Sequence, residues 1–245
     1  MNQISAIAAV VVPENRLLGA LPPEQYARLL THLTLVSMSV GQVVNPASNH
    51  SGFVYFPTTA VLSKISLLAN GEITAVTMVG NEGVVGVGFF MGGEATCTQI
   101  VVQCSGNAYQ IDVASFNRVF GQCEDWQRLL LRYVGWMMTQ LGQMTVCYRH
   151  HSIDQQLCRW LLQTIDRSTI VDLSLTHEKI ATILGVRRES VTEAFGSMRR
   201  AGMIETNRGQ IKVLDRTALE ARTCECYAVV KNDFDRLLPR ALCAA

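Results

Sequence analysis

The stretch that most restricts the fold is Leu175–Phe195, LTHEKIATILGVRRESVTEAF. Thr176 is a helix-capping residue, and Glu178 stands in the first turn it would open, where a carboxylate meets unpaired amides and the positive end of the helix dipole. Ile180, Ala181 and Leu184 share one face, Gly185 interrupts, and Val191, Phe195 and Met198 resume an apolar stripe at helical spacing. The small Ala181 lets two helices cross closely, Gly185 makes the sharp turn between them, and Val191 closes the core. Met203–Thr206 and Gln210–Leu214 then read as two short strands joined by Asn207-Arg208-Gly209, so the expected unit is a winged helix-turn-helix. A plain helical hairpin buried in a core would share the apolar spacing but has no use for the wing.

Charge separates these readings further. The whole chain carries a net charge of only +1, which excludes a polycation that binds by bulk electrostatics. From 187 to 212, however, Arg187, Arg188, Arg199, Arg200, Arg208 and Lys212 outweigh Glu189, Glu193 and Glu205. The basic tilt is confined to the winged unit. On a helical wheel Glu189, Ser190, Glu193 and Ser197 lie opposite the buried stripe, with Arg188 on the flank.

Ahead of that unit the chain changes character. Val61–Leu68 and Ile73–Val79 alternate at strand spacing around Asn70-Gly71, a strong hairpin signal because both turn positions need positive φ. Ile100–Cys104 and Ala108–Ile111 around Ser105-Gly106-Asn107 predict a second hairpin. Gly80–Gly88 is glycine-dense, which predicts tight bends where backbone approaches backbone or a ligand. A short helix is expected over Pro23–Leu33, and the strands together suggest a β-roll or barrel. From Glu124 to Tyr148 the pattern becomes helical: Leu130, Val134, Met137, Leu141, Met144 and Tyr148 form an a/d seam. Trp126, Leu129, Tyr133 and Trp136 form a second stripe on a neighbouring face. One face can rest on the β-domain and the other on a twin helix, with Gly135 and Gly142 allowing close approach. A central helix buried within one protomer is the alternative.

The eight cysteines lie at 97, 104, 123, 147, 158, 224, 226 and 243, with no regular framework, which favours reduced thiols in a cytoplasm. No uncharged apolar run approaches the roughly 20 residues that span a bilayer. Ala6–Val12 is too short and lacks a preceding basic segment, so neither a signal peptide nor a membrane partner is expected. Cys224-Glu225-Cys226 and the hinge pair His150-His151 could each hold a metal or respond to oxidant or proton, but each is weak alone, and no metal or cofactor is assigned. No acid/base pair, nucleophile elbow or phosphate loop opening a helix points to an enzyme.

With these residues in view, LTHEKIATILGVRRESVTEAFGSMRRAGMIE and GQIKVLD resemble the DNA-binding domain of the cyclic-AMP receptor protein and fumarate–nitrate regulator (Crp/Fnr) family, most specifically at Gly185, Arg188, Glu189 and Val191. The likeness extends over essentially the whole chain. It implies an α+β protein: a cyclic-nucleotide-binding-like β-roll (1–123), a dimerisation helix (124–150), a winged helix-turn-helix (151–218) and a C-terminal tail (219–245). It also implies a homodimeric, sequence-specific transcription regulator that meets double-stranded DNA and RNA polymerase. By the same resemblance Arg188 and Glu189 read bases, by bidentate pairing to guanine and by accepting from cytosine N4. Glu193 replaces an arginine of the best-known member and should shift the preferred base. Thr176, Arg187, Ser190, Arg199 and Lys212 suit phosphates, which position without specifying.

The sensor half departs from the family. Cyclic-nucleotide binders carry a glutamate and an arginine in the phosphate loop, but here Val87 replaces the glutamate and no basic residue lies between Gly83 and Gly106. No cysteine precedes Cys97, unlike the iron–sulfur oxygen sensors of the family. An apolar effector of unknown identity could fit a pocket lined by Val85, Gly86, Val87, Phe89 and Phe90. The rival reading is a dimeric interaction module whose winged helix touches protein, favoured by the acidic Glu189 and Glu193.

Overall fold

A computed structural model describes residues 14–45, 52–69, 71, 73–92, 98–168, 173–207 and 209–238. Asn70 and Arg208, in the two expected turns, and Cys97, Cys243 and Ala6–Val12 lie outside them.

The chain opens with two short helices, α1 (Arg16–Gly19) and α2 (Pro23–Leu30), then strands β1 (Thr34–Met38), β2 (Val43–Asn45), β3 (Phe53–Pro57), β4 (Val61–Leu67) and β5 (Ile73–Val79). After the short α3 (Val87–Phe90) come β6 (Thr98–Cys104) and β7 (Gly106–Asp112), followed by α4 (Val113–Gln122), α5 (Glu124–His150) and α6 (Ile153–Arg167). Then follow β8 (Leu173–Ser174), α7 (His177–Leu184), α8 (Arg188–Arg200), β9 (Ile204–Asn207), β10 (Gln210–Val213), α9 (Arg216–Arg222) and α10 (Cys226–Leu237).

The roll is two facing sheets, β1-β7-β3 and β2-β6-β4-β5. Met38, Tyr55, Leu62, Val79, Val102 and Ala108 fill the space between them. Strand periodicity explains β3: Tyr55 points into the roll, while its neighbours Val54 and Phe56 point the other way, into a second core shared with α1, α2, α4, α5 and α10. The β4–β5 hairpin forms as expected, Leu67 opposite Ile73. The second expected hairpin does not. β6 pairs with β2 and β4, whereas β7 pairs with β1 and β3, so the chain changes sheet at Ser105. Asn107 anchors the change: its carbonyl accepts from the amides of Thr58, Thr59 and Ala60.

α5 runs 27 residues, about 40 Å. Ser152 closes a capping box with Gln155 and starts α6. The expected tail also folds: α10 packs along α5, where Trp136 Nε1 donates to the Val230 carbonyl at 3.0 Å and Phe234 meets the same indole edge-on. The winged unit docks on the roll through a third core that mixes Val61 and Met78 of the sheet with Leu161, Ile180, Phe195 and Met198. At that junction the Arg167 and Glu82 side chains pair at 2.6 Å, both buried. Gly80 is required there, since a Cβ would lie 2.4 Å from the Arg167 backbone oxygen.

Candidate nucleic-acid interface

Thr176 caps α7 by accepting from the Lys179 amide at 3.3 Å. Gly185 takes φ 66°, and the amide of Val186 returns to the Ala181 carbonyl at 3.0 Å, so the helix ends in a left-handed turn that a side chain would strain. Val191, Phe195 and Met198 are fully buried on the inner side of α8. Burying such side chains contributes about 1.5–3 kcal/mol each, which holds α8 against α7.

This packing fixes what α8 shows to solvent. Arg187, Arg188, Glu189, Glu193 and Arg199 are exposed, and Ser190 is half-buried. Arg188 and Arg199 lie on one side of the helix, about three turns apart. With Thr176, His177 and wing residues Thr206, Gly209 and Gln210 they line a cleft of about 510 Å³. Glu189 and Glu193 occupy the adjoining outer face. Lys212 is exposed on β10 but stands opposite Glu205 in the β9–β10 register, so part of its charge is offset within the wing. Ser197 does not face outward as the wheel suggested. Arg222 donates to its hydroxyl at 2.7 Å and also reaches Asp154, tying α8 to α9 and α6.

His177 was not singled out by sequence. Its ring stacks on Phe195 at 4.8 Å, and Nδ1 lies 3.1 Å from Thr192 Oγ1. Burial, then the charges of Arg199 and Arg188, hold its pKa below the ordinary value. Its only signal in the sequence is an aromatic ring at the start of a capped helix.

The helix α5 departs from the expected seam. Leu130, Val134 and Met144 are 0%, 9% and 8% exposed within the protomer, and Met137, Leu141 and Tyr148 are half-buried. Leu130 and Met137 pack into the core shared with the roll, and Arg159 of α6 lies over Tyr148, so these parts of the stripe are covered within the protomer. The open face lies one residue on. Leu131 and Met138 are 61% and 68% exposed, and a Cβ at Gly135 or Gly142, which share that face, would meet nothing within 4 Å.

In the roll, Val85, Gly86 and Val87 do line a small cavity of about 90 Å³, together with Thr77, Ile100 and Met137. Phe89 and Phe90 do not. Both pack toward the helical core, Phe90 against Phe116 and Phe120. Lys64 reaches the cavity from β4, a cation that a search of the glycine-rich loop alone overlooks. The structure also gathers Cys147, His151, Cys224 and Cys226 at one point, although they are dispersed in the chain. Among the described residues, no helix is long and apolar enough to cross a membrane.

Residues 155–222 match the Crp-like helix-turn-helix domain. No curated protein matches the chain in sequence. Among solved structures, FixK2 from Bradyrhizobium japonicum is similar at 15% identity, with a TM-score of 0.66 over 78% of this chain and 98% of that one. A CRP-family transcriptional regulator from Thermus thermophilus is 17% identical, with a TM-score of 0.63 over 76% of this chain and 95% of that one. The c-di-GMP-responsive global regulator CLP from Xanthomonas campestris is 12% identical, with a TM-score of 0.58 over 78% of this chain and 99% of that one. The chain therefore carries a Crp-like helix-turn-helix domain on the fold of the Crp/Fnr transcription regulators.

Proposed function

We propose that this chain is a sequence-specific, DNA-binding transcription regulator that acts as a homodimer on a pseudo-palindromic operator and does not respond to cyclic AMP. The observation that carries the reading is the cleft where Thr176, Arg188 and Arg199 converge with the wing beside an exposed helix face, its two arginines set against the single acid Glu178. Phosphates would be held by Thr176, Arg187, Ser190 and Arg199, with a smaller share for Lys212, while Arg188, Glu189 and Glu193 read bases. RNA polymerase as a further partner rests on the family resemblance.

A second copy of the chain supplies the symmetry. The face of α5 built on Leu131, Gly135, Met138 and Gly142 is apolar, solvent-exposed and repeats at heptad spacing. Its glycines allow two helices to approach closely. Paired so, the two copies of α8 would enter successive major grooves about 34 Å apart.

Site selection from random duplex DNA, followed by salt titration, tests this reading. Arg188→Ala should cost about 1–3 kcal/mol on the best site and flatten one symmetric position in each half-site. Arg199→Ala should weaken all sequences alike and reduce the salt slope by about one unit. Glu193→Arg should change the selected motif. An unchanged motif for both Arg188→Ala and Glu193→Arg would move α8 to a protein-contact role.

A cavity of about 90 Å³ is well below the roughly 300 Å³ or more typical of small-molecule sites, and Val87 stands where cyclic-nucleotide binders place a glutamate. Lys64 offers a countercharge, but without space for ribose and base. Calorimetry should detect no binding of cyclic AMP or cyclic GMP at micromolar concentrations. Heat of binding for either would show that the roll opens to admit a nucleotide.

A further inference from the structure

At the joint where α5 ends, four side chains from three places in the chain converge. Cys147 comes from the last turn of α5, His151 from the residue that ends the helix, Cys224 from the link between α9 and α10, and Cys226 from the first residue of α10. Their ligand atoms all lie within 4.8 Å of one another. Cys147 Sγ is 3.5 Å from Cys224 Sγ, and Cys226 Sγ is 3.6 Å from His151 Nδ1. A tetrahedral zinc ion with ordinary bond lengths holds its sulfurs about 3.8 Å apart and a sulfur and a nitrogen about 3.6 Å apart. The cluster thus already has the spacing of a coordination shell.

Three surrounding features match the same shell. The three cysteines are 0%, 3% and 1% exposed and form a small buried group of their own, closed to competing water. His151 turns Nε2 toward the Glu225 carboxylate at 3.3 Å, which directs the Nδ1 lone pair at the sulfurs, as carboxylates behind metal-binding histidines do. Gln156 donates from Nε2 to the carbonyls of Cys147 and His151 at 3.4 and 2.8 Å and so fixes both backbones from α6.

Charge adds an independent observation. Arg159 is only 2% exposed, its Nη1 donates to Gln163 Oε1, and its Nε and Nη2 have no hydrogen-bond acceptor. Among the described residues no carboxylate pairs with it. Its guanidinium lies 5.6 Å from the ring centre of Tyr148, the residue next to Cys147, and so stands beside the cluster. Beside three neutral thiols it is a buried cation without a counter-charge, which is costly. A divalent ion on three thiolates carries one net negative charge, and Arg159 balances it.

We propose that Cys147, His151, Cys224 and Cys226 bind one thiophilic divalent cation of the zinc class, which fastens the α9–α10 segment to the hinge between α5 and α6. Each thiol releases its proton to solvent as its sulfur bonds to the ion. Four protein ligands leave no open coordination position, the mark of a structural and not a catalytic site. The site does not depend on the DNA-binding role. Its consequence is mechanical: α10 grips α5 while Arg222 at the end of α9 grips α6 and α8, so the ion clamps a segment that touches both sides of the hinge.

The test is a cobalt(II) titration of the full-length, metal-stripped protein under reducing conditions. One equivalent should produce the intense visible bands of tetrahedral cobalt with sulfur-to-metal charge transfer, and zinc should bleach them. Cys226→Ser and His151→Ala should lose that spectrum, whereas Cys104→Ser should keep it. Glu225→Gln retains all four ligands and should weaken cobalt binding about tenfold. Wild-type protein that gives only the pale octahedral spectrum, or binding that survives in Cys226→Ser, overturns the proposal. So does a Cys147–Cys224 disulfide in air-purified protein that, once reduced, gives no tetrahedral band; the cluster would then be a dithiol pair. Because the titration is read on the wild type, a misfolded variant leaves the outcome decided.

Discussion

In the winged unit, the surface elements pack on neighbours close in sequence: α7 lies against α8, and β9 pairs with β10, while only the inner edge of the wing, β10 on β8, reaches farther back. In the roll, β7 sits between β1 and β3, and the small cavity draws on β4, β5, β6, the glycine-rich loop and α5. The difference teaches where a site can be read. A surface built from one helix-turn-helix inherits its geometry from local spacing, whereas a cavity inherits it from strands that meet only after the whole domain closes.

The strongest way to break this contrast is at the junction of the two regions. Arg167→Ala strands Glu82 in a buried site and should cost about 3–5 kcal/mol of stability, measured by denaturant unfolding. Replacing both partners with apolar residues of similar volume, Arg167→Met with Glu82→Leu, should recover most of the loss. If Arg167→Ala is neutral, the two regions are not coupled through this pair.

The two stripes of α5 sharpen the comparison next. Leu130→Ala should cost about 2–5 kcal/mol of folding stability. Met138→Lys should leave the protomer folded and raise the dimer dissociation constant about 100-fold, as sedimentation would record. The reverse result would restore the expected seam through Leu130, Val134 and Met144.

The smallest effect concerns pH. His177 has a folded pKa held below its ordinary value of 6.5 by burial and by Arg199 and Arg188. As pH falls through 6.5 the unfolded chain takes up a proton first, so stability should decline from there down to the folded pKa and be unaffected above neutrality. His177→Gln should flatten that part of a melting-temperature profile. An unchanged acid slope would place the titration elsewhere.

The sequence by itself determined the winged helix. Thr176, Gly185, Val191 and Phe195 act within one or two turns of their own positions, and their spacing needs no distant partner to be interpreted. It also determined that α5 is long and apolar on more than one side. Which stripe faces outward was decided only by tertiary structure: Leu130 and Leu131 each begin a run at heptad spacing, and the covering of one by the roll and α10 leaves the other exposed. The same holds for Lys64 in the cavity, for the sheet change at Ser105, and for the meeting of Cys147, His151, Cys224 and Cys226. Periodicity reports which residues share a face of one element. Only the packing of elements remote in sequence fixes what each face meets, because burial is a property of the assembled core and not of the segment.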